Sequence, residues 1–157
     1  ILDPLGNEPK IICQLVNDRA IKWGGDVARK FARKYPQAEL QYTQSFIHLT
    51  ADQRLGRALI VELDEGVSLA SIVAQEGFGP SLFPRMRYGA LQAGLREVAA
   101  HARQISAGVH MPKIGTGSAG GDWGIIEEII EDELVRAGLA VTVYDLPPKR
   151  EQFELFG

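Results

Sequence analysis

Two stretches decide the fold, because in each of them a buried strand passes through glycines into a helix. The first reads KIICQLV at residues 10–16 and continues as NDRAIKWGGD at residues 17–26. The second reads GVHMPKI at residues 108–114 and continues as GTGSAGGDW at residues 115–123. Branched apolar residues without polar alternation predict a strand that is buried on both faces. Ligands of α/β sheets bind outside the carboxyl ends of the strands, so we expect the two loops to lie together.

The rest of the chain alternates predicted strands and helices, which favours an α/β fold with a largely parallel or mixed sheet. Further strands are predicted over residues 57–63, 68–75 and 139–145, and helices over residues 27–35, 86–105 and 124–136. Pro36 is expected to stop the first helix. We predict a single domain over residues 1–157, with a peripheral tail at residues 148–157 after the Pro147-Pro148 pair.

Composition excludes several classes of protein. A chain of 157 residues has the usual length of one domain, and 45% hydrophobic with 24% charged residues excludes disorder of the whole chain. A net charge of -3 gives no general attraction to nucleic acid or to an anionic membrane surface. No apolar run approaches the roughly 18–20 residues that span a bilayer. The single cysteine, Cys13, cannot form an internal disulfide, so we expect a reduced, cytoplasmic protein.

The second loop has the composition of a diphosphate cradle. Four glycines accompany Thr116 and Ser118 within residues 115–121, and a residue without a Cβ lets backbone amides approach an anion closely. The helix that follows each loop adds unpaired N–H groups and a partial positive charge. The loop is not a Walker motif, and its match to G-x-G-x-x-G lies in the wrong part of the chain. A flexible turn between strand and helix is the alternative.

Several motifs resemble the macrodomain family: Gln14-Leu-Val-Asn-Asp18, Trp23-Gly-Gly25, His110-Met-Pro-Lys-Ile-Gly-Thr-Gly117 and Ala119-Gly-Gly-Asp-Trp123. The likeness is greatest to the branch with terminal ADP-ribose protein glycohydrolase and the macro module of a poly(ADP-ribose)-responsive chromatin remodeller. The resemblance implies a three-layer α/β/α macrodomain sandwich with a mixed central sheet. It also implies that ADP-ribose, or ADP-ribosylated protein or nucleic acid, binds at the strand ends of a monomer or of part of a larger chain. No cofactor is implied.

The resemblance also assigns ligand contacts to positions of this sequence. The diphosphate would be wrapped by the second loop, namely Gly115, Thr116, Gly117, Ser118, Ala119, Gly120 and Gly121. The distal ribose would be approached by Asn17 and by the turn Trp23, Gly24 and Gly25. Trp123 either joins the binding site or packs the helix against the loop. An aromatic surface for adenine is expected from Tyr144, Phe153 or Phe156.

Three departures from the family pattern affect these expectations. The Gly-Asp pair that contacts adenine in the family is missing, so a strand and an adenine contact are expected upstream of Ile1. Asp26 replaces a glycine beside the distal ribose, where it would bind ribose hydroxyls, repel the diphosphate and narrow the cleft, or cap the following helix. Gln75 and Ala119 replace the lysine and aspartate of the glycohydrolase, so a lysine-based covalent mechanism is not expected.

Three carboxylates remain as catalytic candidates for activating water: Asp18, Asp26 and Asp122. Each has a structural alternative, since Asp18 would hold its own loop, while Asp26 and Asp122 would stabilise helix N-termini. We therefore predict ADP-ribose binding with weak hydrolysis of ADP-ribosyl links. The alternatives are a reader module without catalysis and a degenerate fold used only for docking.

The remaining polar clusters favour structural roles. The three histidines are scattered, and no metal site is predicted. A basic cluster on the first predicted helix is either a solvated face or a guide for an anionic polymer, and it consists of Arg29, Lys30, Arg33 and Lys34.

Overall fold

Five strands form one mixed sheet at the centre of the molecule. The structure is a computed structural model that describes residues 4, 6–19 and 22–145, leaving out the side chain of Asp26. The strands are β1 (Lys10–Asn17), β2 (Ala58–Asp64), β3 (Val67–Gln75), β4 (Gly108–Pro112) and β5 (Val141–Tyr144). Their order across the sheet is β2-β3-β1-β4-β5. Only β2 runs antiparallel to its neighbour, so the carboxyl ends of the other four strands meet at one edge.

Helices cover both faces of this sheet. They are α1 (Asp26–Lys34), α2 (Pro36–Phe46), α3 (Ala51–Arg54), α4 (Tyr88–Ile105) and α5 (Trp123–Ile130), the last continuing as a π-helical turn over Glu131–Val135. Side chains of β1 alternate between two cores: Ile11 joins the core under α4 and α5, while Ile12 joins the core under α1 and α2. The predicted three-layer α/β/α sandwich with a mixed sheet is therefore confirmed.

The sequence missed two helices, α2 and α3, and the first was missed because proline was treated only as a stop signal. Pro36 ends α1 but also occupies the first position of α2, where its missing N–H costs no hydrogen bond. Ala38, Tyr42 and Phe46 then recur every four residues and bury one side of α2. The four-residue α3 begins at a capping box and is too short to show periodicity. Residues 148–157 and the segment before Pro4 lie outside the described residues.

Candidate functional site

A cleft of about 870 Å³ lies at the carboxyl ends of β1, β3 and β4. Both glycine loops line it, with Gly24 and Gly25 on one side and residues 115–119 on the other. The remaining lining residues come from the strand ends, from α1 and from the segment after β4: Gln14, Leu15, Val27, Ala28, Arg29, Gln75, Pro112, Lys113, Ile114 and Asp145. The structure thus brings together the two loops that the sequence placed about ninety residues apart.

Some glycines of the second loop are required by the loop itself. Gly115 has a φ of +80°, and a Cβ added there would collide with the Met86 methyl group. The amide of Gly121 donates to the carbonyl of Gly115 at 2.7 Å, which leaves no space for a side chain on Gly121. Gly120, with a φ of +67°, lies against Pro84. These residues close the loop and hold it against the segment before α4 and against α5.

The other glycines lie in open space. A Cβ added to Gly24, Gly25 or Gly117 would meet no atom within 4 Å, and none of the three has a positive φ. Packing within the chain therefore does not explain why these three residues are glycines. The amides of Gly117 and Ser118 donate no hydrogen bond to any part of the chain that the structure describes. This stretch of backbone is accessible to a ligand in the cleft.

The helix N-termini behind the two loops differ in how they are capped. The N-cap of α1 is Gly25, which has no side chain to accept from the first amides of the helix, and Val27 and Ala28 line the cleft. The N-cap of α5 is Asp122, whose carboxylate accepts from the amide of Ile125 at 3.3 Å. Only α1 therefore presents an uncapped N-terminus towards the cleft. The sequence predicts unpaired amides behind both loops, and at α5 the Asp122 carboxylate satisfies one of them, that of Ile125.

Of the three candidate carboxylates, two have backbone partners. Asp18 is 3% exposed and accepts from the amide of Gly77 at 2.8 Å, tying the loop after β1 to the loop after β3. Neither Asp18 nor Asp122 lines the cleft. Asp26 is the first residue of α1, directly after the cleft residue Gly25. Gly25 takes the N-cap, so the idea that Asp26 caps this helix is wrong.

Several predicted ligand contacts lie behind the lining of the cleft. The Asn17 side chain accepts from the amide of Arg19 at 3.0 Å, forming a turn at the end of β1. Trp23 is buried, and its ring lies 5.7 Å from the ring of Tyr42 in the core under α2. Trp123 begins α5, with the Lys113 ammonium 5.8 Å from its ring centroid. These residues, together with Gly120 and Gly121, support the loops rather than line the cleft.

Of the three aromatic residues proposed for adenine, the structure describes Tyr144. The Tyr144 hydroxyl lies 2.7 Å from Nδ1 of His110, and Tyr144 does not line the cleft. Burial, followed by the nearby Lys10 ammonium, lowers the pKa of His110. Phe153 and Phe156 lie outside the described residues.

Gln75 and Ala119 both line the cleft. The Gln75 amide donates to the carbonyl of Gly77 at 3.0 Å, while the Ala119 carbonyl accepts from the amides of Arg85 and Met86. An amide and a methyl group thus stand where the resemblance puts the lysine and aspartate of the glycohydrolase, and neither provides a nucleophile.

Sequence reasoning missed four polar residues of the cleft: Gln14, Arg29, Lys113 and Asp145. Gln14 was visible as one polar residue inside an apolar strand, and Lys113 directly follows β4. Lys113 pairs with Asp145 at 3.0 Å, while Arg29 comes from α1. The sequence places Arg29 in a basic cluster that is either a solvated face or a guide for an anionic polymer, and helical spacing alone does not show which member faces a ligand.

Two further features of the described residues bear on chemistry. No group of three or more His, Cys, Asp or Glu side chains that could hold a metal occurs in residues 4, 6–19 and 22–145. None of the helices in these ranges has the length and apolarity needed to cross a bilayer.

Comparison with known proteins gives matches over most of the chain. The Macro domain family model matches residues 16–130. A crystal structure of a protein from Bacteroides thetaiotaomicron has 35% sequence identity and a TM-score of 0.84, covering 92% of this chain and 94% of that one.

Two curated relatives are also similar. Chromodomain-helicase-DNA-binding protein 1-like of Mus musculus is 27% identical over 150 residues, which is 90% of this chain but 16% of that protein. ADP-ribose 1''-phosphate phosphatase of Lodderomyces elongisporus is 29% identical over 119 residues, 69% of this chain and 72% of that protein.

Proposed function

The chain belongs to the Macro domain family, and from this premise we propose that it binds ADP-ribose, free or attached to a protein or nucleic acid, in the cleft between its two glycine loops. The observation that carries the proposal is the convergence of both loops on one cleft of about 870 Å³. That volume lies within the range of small-molecule sites, about 300–1,000 Å³. The relative named ADP-ribose 1''-phosphate phosphatase supports the choice of ligand.

The diphosphate fits the middle of this cleft for electrostatic reasons. The amides of Gly117 and Ser118 donate no hydrogen bond within the described chain. Gly25, the N-cap of α1, has no side chain that could accept from the first amides of that helix. Arg29 and Lys113 add positive charge from α1 and from the segment after β4. Backbone N–H groups, a helix N-terminus and cations are the groups that bind phosphate oxygens in proteins.

A weak hydrolysis of ADP-ribosyl links is the finer part of the proposal. Because Asp18 and Asp122 accept hydrogen bonds from backbone amides and lie outside the lining, Asp26 is the remaining candidate for activating water. The name of the Lodderomyces elongisporus relative, a phosphatase, favours hydrolytic chemistry in this cleft.

A reader module without catalysis is the second candidate function. It is favoured by Gln75 and Ala119, since neither side chain attacks a carbon atom or transfers a proton efficiently.

Titration calorimetry with ADP-ribose tests the binding proposal directly. We expect saturable binding at micromolar to millimolar ligand, and the absence of heat and of a thermal shift at millimolar ligand would refute it. Hydrolysis is then tested by measuring release of ADP-ribose from mono-ADP-ribosylated protein and DNA. Release that is lost in Asp26→Asn but kept in the matched Asp122→Asn supports the enzyme, whereas binding without release supports the reader.

A further inference from the structure

One buried polar atom at the strand end of the cleft lacks a partner. Gln14 lies in β1 between Cys13 and Leu15, and only 3% of the residue is exposed. Its Nε2 donates to Oγ of Ser71 on the adjacent strand β3 at 2.9 Å. Its Oε1 is buried and has no hydrogen-bond partner in the part of the chain that the structure describes.

A buried acceptor without a partner reduces the stability of the folded state. Exchanging the amide oxygen and nitrogen would not remove the problem, because Ser71 pairs with one end of the amide and the other end stays unpaired. A leucine would fill a similar volume in this apolar strand with no unpaired group. Gln14 therefore lowers the stability of the free protein, and its hydrogen bond to Ser71 alone does not explain why glutamine occupies this position.

The position of Gln14 indicates what satisfies this atom. Gln14 lines the same cleft as Gly24, Gly25 and Ala28, so its side chain adjoins a molecule bound there. A phosphate oxygen cannot donate to the Oε1 carbonyl oxygen, since both are acceptors. A hydroxyl donates and accepts, so it can pair with the amide in either orientation.

We propose that Gln14 is a ligand-binding residue whose amide oxygen accepts a hydrogen bond from a hydroxyl of the distal ribose of ADP-ribose. The inference rests on the proposed function, in which the turn with Gly24 and Gly25 lies beside that ribose. It adds a buried side chain from within β1 to a site otherwise assigned to the two loops and to the cations Arg29 and Lys113. Gln14 then contributes to specificity, because a ligand without the second ribose leaves the oxygen unpaired.

The test is a double variant, Gln14→Leu with Ser71→Ala, which removes both partners of the buried hydrogen bond together. Without ligand, we expect its melting temperature to equal or exceed that of the wild type. By calorimetry, we expect the dissociation constant for ADP-ribose to rise about tenfold. The constant for ADP, which lacks the distal ribose, should stay within about twofold. Ser71→Ala alone is the matched control and should retain ADP-ribose binding.

Each other result overturns the inference. Equal losses for ADP and ADP-ribose would place the contact on the shared ADP part or make the effect structural, and an unchanged affinity for ADP-ribose would leave Gln14 with no contact. Should the double variant unfold, Gln14→Met, which keeps the volume without the amide, gives the same comparison of two ligands. If the wild-type protein binds ADP-ribose, a failure of the inference about Gln14 can be distinguished from a failure of the proposed function. If the wild type binds neither ligand, both proposals fall.

Discussion

At the scale of single residues, the glycines of the second loop divide into those the fold needs and those it does not. Gly115 combines a positive φ with a Cβ position occupied by Met86, so both backbone and packing require glycine. Gly117 has neither constraint. The two residues are two positions apart, line the same cleft and are therefore a matched pair.

We predict that Gly115→Ala destabilises the protein by about 2 kcal/mol or more, because it adds left-handed strain to a steric clash. Gly117→Val is expected to change the free energy of unfolding by less than about 0.5 kcal/mol. It should weaken ADP-ribose binding by about tenfold or more, since its side chain fills space next to the amides offered to the diphosphate.

Urea unfolding and calorimetry on the same two variants check this prediction. A Gly117→Val protein that is stable and binds ADP-ribose as well as the wild type would show that the diphosphate does not approach this residue.

At the scale of elements, the loop between β3 and α4 is held by polar contacts rather than by a core, and the Arg85 guanidinium makes three of them. Arg85 donates to the carbonyl oxygens of Glu76, Gly79 and Pro80. The same loop exposes three large apolar side chains, Phe78 at 61%, Leu82 at 96% and Phe83 at 78%. Because these side chains contribute little burial, the loop conformation depends on hydrogen bonds, to which Arg85 contributes three.

Arg85→Gln is expected to loosen residues 76–85 without unfolding the domain, because three charge-assisted bonds are lost from a surface loop. Limited digestion with chymotrypsin should cut after Phe78 or Leu82 several times faster than in the wild type. Arg136→Gln, which removes a surface ion pair with Asp132, is the control and should leave the cutting rate unchanged. Equal rates in both variants would mean that other contacts hold the loop.

The elements that the sequence predicted well are those with a strong pattern. β1 and β3 are apolar runs buried on both faces, and α4 carries a long apolar stripe. α2 was missed because its proline begins a helix as well as ending one, which depends on the fold of the preceding turn.

The parts of the site that depend on residues close together in the sequence were predictable. The two glycine loops were found from composition, but the partner of Gln14 was not. The pair of Gln14 with Ser71 depends on the register between β1 and β3, strands more than fifty residues apart. Which carboxylate faces the cleft is likewise decided by tertiary contacts, as Asp18 with Gly77 shows.

At the scale of the whole molecule, the net charge is -3. The described side chains of the cleft nevertheless include two cations and one exposed carboxylate. We predict that Arg29→Gln and Lys113→Gln each weaken ADP-ribose binding by about fivefold at low salt, through loss of attraction to the diphosphate. Asp145→Asn should have the opposite effect, because it removes the anion paired with Lys113.

Calorimetry at two salt concentrations measures these changes, and all three effects should shrink at 0.5 M salt because charges in this open cleft are screened. An affinity that does not depend on salt or on these variants would remove the electrostatic part of the proposed site.

The pH dependence of stability depends on two groups buried on opposite sides of the sheet. Burial raises the pKa of the Cys13 thiol from 9.0 to about 12 and that of the Tyr42 hydroxyl from 10.0 to about 12. Both groups stay neutral in the folded protein while the unfolded chain loses their protons. The unfolded state then binds fewer protons than the folded state, so stability must fall as pH rises.

We therefore expect full stability from these groups below pH 9, a decline that begins near pH 9 with Cys13, and a steeper decline above pH 10 when Tyr42 joins it. The slope approaches about 1.4 kcal/mol per pH unit for each group. Urea unfolding between pH 8 and pH 11 measures it, and Tyr42→Phe should remove the steeper part above pH 10 while leaving the decline near pH 9. If Tyr42→Phe and the wild type have the same slope above pH 10, the Tyr42 hydroxyl ionises as readily in the folded protein as in the unfolded chain. The ring would then be open to solvent, and the core between α2 and the sheet would not be as closed as described.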